Sequence, residues 1–117
     1  LYFFVALGGA MGSMCRYFIS QYIFNKNSFP LSTLLINVVG TFLIAIISFY
    51  AEKNNLSDKL LLFLKVGFCG GFTTFSTFAF EIYSLKSTGI NFIGAFYALL
   101  SLFLSLIVIN IAKILIY

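Results

Sequence analysis

Four long apolar stretches, separated by three short polar ones, run the length of the chain. The first covers about Leu1 to Phe24 and ends in Asn25-Lys26-Asn27-Ser28. Pro30 precedes a second, about Leu31 to Ala51. The polar turn Glu52 to Asp58 (EKNNLSD) leads to a third, about Lys59 to Leu85, with Ser57 or Asp58 as its N-cap. Lys86 to Gly89 leads to a fourth, about Asn91 to Tyr117. A spanning helix needs roughly 20 mostly apolar residues, and each stretch is that long. The pattern predicts an all-α membrane protein with four transmembrane helices in a single domain over residues 1–117. The loops are too short to hold another domain, so consecutive helices are expected to be antiparallel neighbours.

The third stretch departs from a simple helix. Its centre reads VGFCGGFTTFSTFAFEIY, from Val66 to Tyr83. Gly67, Gly70 and Gly71 weaken the backbone, and Thr73, Thr74, Ser76 and Thr77 follow as a hydroxyl cluster. Phe72, Phe75, Phe78 and Phe80 interleave with them, and Glu81 closes the run. Inside a bilayer each unsatisfied backbone group costs several kcal/mol, so broken helix is tolerated only within protein or along a watery cavity. The third helix is therefore expected to break near its middle, around Gly70, beside a pathway.

Composition agrees with the membrane reading. The chain is 62% hydrophobic and 9% charged, whereas soluble domains are nearer 45–50% apolar and about 25% charged. Its net charge of +4 is scattered, with no basic cluster that reads as a nucleic-acid footprint. There is no histidine, which excludes a histidine metal site or proton shuttle. Cys15 and Cys69 fall in apolar segments and read as small buried hydrophobes. The first segment is too long, and lacks the basic leader, for a cleaved signal. Lysine and arginine in short loops set orientation. Arg16, Lys26 and Lys86 lie towards one side, against Lys53, Lys59, Lys65 and Lys113 towards the other. One reading of so little bias is a chain that inserts both ways and pairs antiparallel with itself; the other is weak bias in a small protein. Four helices barely enclose a pore, so a homo-oligomer is expected.

Polar groups within the apolar stretches mark candidate chemistry. Gly8 with Gly12, and Gly9 with Ser13, form small-xxx-small pairs for close helix approach, either within one subunit or at a dimer seam. Arg16 is either a snorkelling anchor or a cation at a pore mouth. Thr33, Asn37 and Thr41 share one face of the second helix, and Tyr97, Ser101 and Ser105 share one face of the fourth. These ladders offer hydroxyl and amide donors without the carboxylate pairs or rings of cation pathways. They suit a small hydrated anion, or simply bond helix to helix. Phe75 and Phe78, one turn apart, have positive ring edges that suit an anion, although most of the 16 phenylalanines must pack or face lipid. Glu81 shares a face with Phe78 and Thr77, where it holds hydroxyls in place, ends the pathway or meets the headgroups.

The segments GGAMGSMCRY (Gly8 to Tyr17), INVVGTF (Ile36 to Phe42) and above all GFCGGFTTFSTFAFE (Gly67 to Glu81) resemble the Fluc family of fluoride channels. The resemblance covers nearly the whole chain. It implies an antiparallel dual-topology homodimer in the plasma (inner) membrane of a microbial cell, with two fluoride pores built by both subunits. It implies a structural sodium ion at the interface, held by backbone carbonyls of Gly70 and Thr73 from each subunit. By position, Phe75 and Phe78 match the phenylalanines lining the fluoride path, and Asn37 the pore amide. Tyr97, Ser101 and Ser105 match the hydroxyl track, Thr77 and Glu81 its polar partners, Thr33 a residue along the route, and Arg16 the vestibule arginine. The implied function is passive, fluoride-selective export. Two rivals are a small multidrug-type transporter, which needs a carboxylate in its first helix, and a non-transporting membrane scaffold. An enzyme is not expected, because the sequence holds no plausible nucleophile–base or metal constellation.

Overall fold

The computed structural model describes residues 1–23, 29–87 and 91–117. The polar turn expected at 25–28 and residues 88 and 89 of that expected at 86–89 lie outside them. Four helical spans are long and apolar enough to cross a membrane: Tyr2–Tyr22, Leu31–Asn54, Asp58–Lys86 and Phe92–Ile116. The protein is thus a multi-pass membrane protein built from helices, as its hydrophobic pattern requires.

Helix α1 is Tyr2–Tyr22 and helix α2 is Leu31–Asn54, which starts directly after Pro30. Proline suits that place because it has no N–H to leave unbonded. Asn55 ends α2 in the left-handed region (φ 51°), and its N–H donates to Ala51 O at 3.1 Å. That conformation is one asparagine tolerates. Ser57, one of the two residues expected to cap the third span, accepts from Leu60 N at 3.3 Å and begins α3, Asp58–Leu61.

The third span is more irregular than its sequence predicts. From Leu62 to Cys69 it widens into π-type turns, then tightens into α4, Gly70–Phe72. It breaks at Thr73 (φ −83°, ψ 157°) and resumes as α5, Phe75–Ser87. The expected break is present, but past Gly70 and Gly71, both of which are helical. Gly67 and Gly71 serve close packing instead, whereas Gly70 faces open space. A Cβ on Gly71 would lie 2.5 Å from Gly9 O, and one on Gly67 would lie 2.8 Å from Val5 O. Gly8 and Gly12 of α1 meet the backbone at Phe63, Phe68 and Phe72 in the same way. The small-residue stripe of α1 therefore packs within one chain.

The last span is α6, Asn91–Ile116. Short connections make the spans run up and down, yet the most extensive packing joins alternate helices. α1 lies along the π-wound stretch and α4, and α2 lies along α6. Of the consecutive spans, α5 packs on α6, and α2 meets the third span where Gly40 faces Phe72 and Thr73. Beyond Gly12, α1 keeps Arg16 half-buried against Gly71 but leaves Met14, Tyr17 and Phe18 exposed. Cys69 is buried as expected, but Cys15 is exposed, as are Met14 and Phe18 beside it on α1.

Candidate functional site

The break is held open by an amide. Asn37 Nδ2 donates to Thr74 O at 3.0 Å, and Thr74 N donates to Asn37 Oδ1 at 2.8 Å. Two backbone groups that the break would leave unbonded are thus satisfied by one side chain of α2, each worth about 1–3 kcal/mol if left buried and unpaired. Asn37 is positioned in turn by its helix, whose Thr41 Oγ1 donates to Asn37 O at 2.7 Å. Thr73 Oγ1 donates back to Cys69 O at 2.8 Å, closing the end of α4. Thr74 Oγ1 accepts from Thr77 N at 3.3 Å and so caps the start of α5. On the other side of the break, Arg16 Nε donates to Gly71 O at 3.2 Å.

A cleft of about 570 Å³ opens beside the break, between α2, α5 and α6. Asn37, Thr41, Thr73 and Thr74 line one side, Ser101 and Ser105 another, and Phe75 and Phe78 form part of its wall. The two rings lie 6.1 Å apart with their planes at 47°. Phe78 is half-buried, while Phe75 is 79% exposed. Ser101 Oγ is buried and without a hydrogen-bond partner, alone in this among the described residues. Such a group calls for a partner from the cleft, water or ligand. Asn37 has a second amide hydrogen that the clamp does not use.

Behind Phe78 lies a second polar cluster. Thr33 Oγ1 donates to Glu81 Oε2 at 3.0 Å, and Tyr97 Oη donates to Glu81 Oε1 at 3.1 Å. The Tyr97 ring is fully buried between Phe78, at 5.2 Å, and Phe29, at 5.5 Å. The carboxylate of Glu81 is thereby tied to α2 and α6 and does not line the cleft.

These positions sort the expected site residues. Asn37, Phe75, Phe78, Ser101 and Ser105 come together at the cleft. Thr33, Glu81 and Tyr97 form the cluster behind it, so the hydroxyl ladder of α6 divides after Tyr97. Thr77 is exposed and meets the break through its backbone N–H. Gly70 is exposed and Thr73 half-buried at the break itself. Arg16 is half-buried against α4. Thr41, the third member of the α2 ladder, and Thr74 also line the cleft. Thr41 had a signal, its spacing of four from Asn37, whereas the capping role of Thr74 depends on where the break falls.

A four-span membrane protein with a helix broken beside a cleft lined in part by hydroxyls and an amide has the architecture of a channel or transporter. The chain belongs to the CrcB family: the family model described as CrcB-like protein, Camphor Resistance (CrcB), matches residues 3–112. A relative from Bacteroides fragilis is 41% identical over 112 residues, covering 91% of this chain and 87% of its own. One from Rhizobium etli is 43% identical over 107 residues, covering 89% and 86%. One from Thermosipho africanus is 46% identical over 82 residues, covering 67% and 66%. Each of these relatives is named fluoride-specific ion channel FluC. The resemblance carried by Gly67 to Glu81 is borne out.

Proposed function

We propose that this chain is a fluoride-selective channel that lets fluoride leave a microbial cell passively across its plasma (inner) membrane. One observation carries the reading beyond the relatives' name: the cleft at the break offers donors and no carboxylate among its lining residues. The unused Asn37 N–H and the Ser101 and Ser105 hydroxyls are suited to replace the hydration shell of a small anion. The edges of Phe75 and Phe78 add positive potential without a binding charge. A cation pathway would place carboxylates there instead. Hydrogen fluoride enters a cell as a weak acid and ionises inside, so an outward anion leak lowers the internal level.

The working unit in this proposal is an antiparallel homodimer. Phe75, Ser76 and Thr77 are exposed in the middle of the third span, as is α1 around Met14, Tyr17 and Phe18. Uncovered hydroxyls at that depth are costly in hydrocarbon, and a second copy across the break would cover them. A sodium ion at the interface belongs to the same proposal, held by the carbonyls of Gly70 and Thr73 from each subunit. The residues fit such an ion. Because Thr74 N–H turns to Asn37, Gly70 O is spared its usual helical donor. A Cβ at Gly70 would meet nothing within 4 Å, so the surface there is open to a second copy. Carbonyl oxygens suit a hard cation, and a bound ion would offset the negative ends of two facing helices.

The test is release of fluoride from liposomes carrying the purified protein, followed by a fluoride electrode, with chloride as control. Fast loss of fluoride with chloride retained is the expected result. Retention of both by folded protein would favour a membrane scaffold. The multidrug-type alternative lacks its carboxylate, since the first span carries Arg16 and no acid.

A further inference from the structure

We infer that Arg16 is a positioning residue: it fixes the broken third helix from the α1 side, as Asn37 fixes it from the α2 side. This rests on the channel reading above. Gly8, Gly12 and Arg16 recur every four residues and so lie along one stripe of α1. The two glycines bring that stripe against the backbone of the π-wound stretch and α4. Arg16 continues it, and its Nε reaches Gly71 O at 3.2 Å.

Gly71 is in the last turn of α4, where carbonyls lose their helical donors. A guanidinium there satisfies one of those carbonyls and meets the negative end of the helix. The Nε–H of Arg16 is thus spent on the main chain.

The two side-chain anchors bracket four residues. Arg16 holds Gly71, Asn37 holds both backbone groups of Thr74, and Phe75 follows directly. The direction in which α5 leaves the break sets where Phe75 and Phe78 stand. Arg16 therefore governs the aromatic wall of the cleft through the backbone. A charge that merely gathers anions at a pore mouth would act through space, would be replaceable by lysine and would weaken with salt. A planar guanidinium donating at a fixed angle is not replaceable by the mobile point charge of lysine.

The experiment compares wild type, Arg16→Lys and Arg16→Gln in liposomes, at low and high concentrations of an impermeant salt. Hydrogen exchange of the amides from Thr73 to Phe78 is followed alongside. The positioning role predicts that both variants lose fluoride flux by at least about tenfold, the worth of one charge-assisted hydrogen bond. The loss should be equal at both salt concentrations, and the amides should exchange faster in both variants. Wild-type flux retained by Arg16→Lys, with a loss in Arg16→Gln that shrinks at high salt, would overturn it in favour of the mouth charge. Unchanged flux and exchange in both variants would overturn it outright. Should neither variant fold, wild type decides: flux indifferent to salt supports positioning, and flux falling steeply with salt refutes it. A wild type that conducts no fluoride would instead remove the channel reading, a separate outcome.

Discussion

At the scale of single residues, the side chains that matter act mostly on the backbone. Asn37 was legible as a costly amide inside an apolar helix, but its partner was not. Nothing in the spacing of α2 says that both ends of the amide meet Thr74, 37 positions away. Glu81 is similar: its place on the Thr77–Phe78 face was readable, its engagement by Thr33 and Tyr97 was not. Phe75 and Phe78 stand apart, because their rings remain available at the cleft. Replacing either by isoleucine removes a positive ring edge while keeping an apolar side chain. Phe75→Ile and Phe78→Ile should each cut fluoride flux by about tenfold or more, if each edge contributes on the order of 1.4 kcal/mol to passage. Flux equal to wild type in both, from protein that is still dimeric, would refute the ring-edge role.

At the scale of elements, the third span divides the labour between its glycines and its threonines. Gly67 and Gly71 allow α1 to lie against backbone, and the break is made by hydroxyl and amide capping at Thr73 and Thr74. Glycine is needed where a Cβ would meet main chain, which cannot move aside as a flexible side chain can. At Gly12 the obstructing atoms belong to the backbone of Phe68 and Phe72. Gly12→Leu should therefore destabilise the fold by more than about 3 kcal/mol, the upper end for overpacked sites. A denaturation midpoint unchanged in detergent would show that α1 does not depend on this seam. The break was foreseeable because glycine and hydroxyl clusters weaken a helix. The π-type turns from Leu62 to Cys69 were not, because a wider turn leaves no mark on apolar residues that suit either winding.

At the scale of the whole molecule, the four spans leave polar and aromatic groups uncovered that a second, inverted copy would cover. The near balance of lysine and arginine between the two sides permits that arrangement. Accessibility labelling of termini in intact cells should find both orientations in comparable amounts, and a single orientation would rule out dual topology. The proposed sodium ion at Gly70 and Thr73 adds a second outcome: extraction in a large organic cation instead of sodium should lower the dimer fraction. An undiminished dimer in protein shown to be sodium-free would remove the ion from the interface. Length, hydropathy and capping are local properties of the chain, so the number of spans, their limits to within a few residues and the existence of a break were legible from the residues. The sequence also carried the family, through the run from Gly67 to Glu81. Only the tertiary structure decided that α1 seats on the third span, that Asn37 and Arg16 hold the break from opposite sides, and that the polar ladder of α6 divides at Tyr97. Those depend on which faces meet across the bundle, and helical spacing names a face without naming its partner.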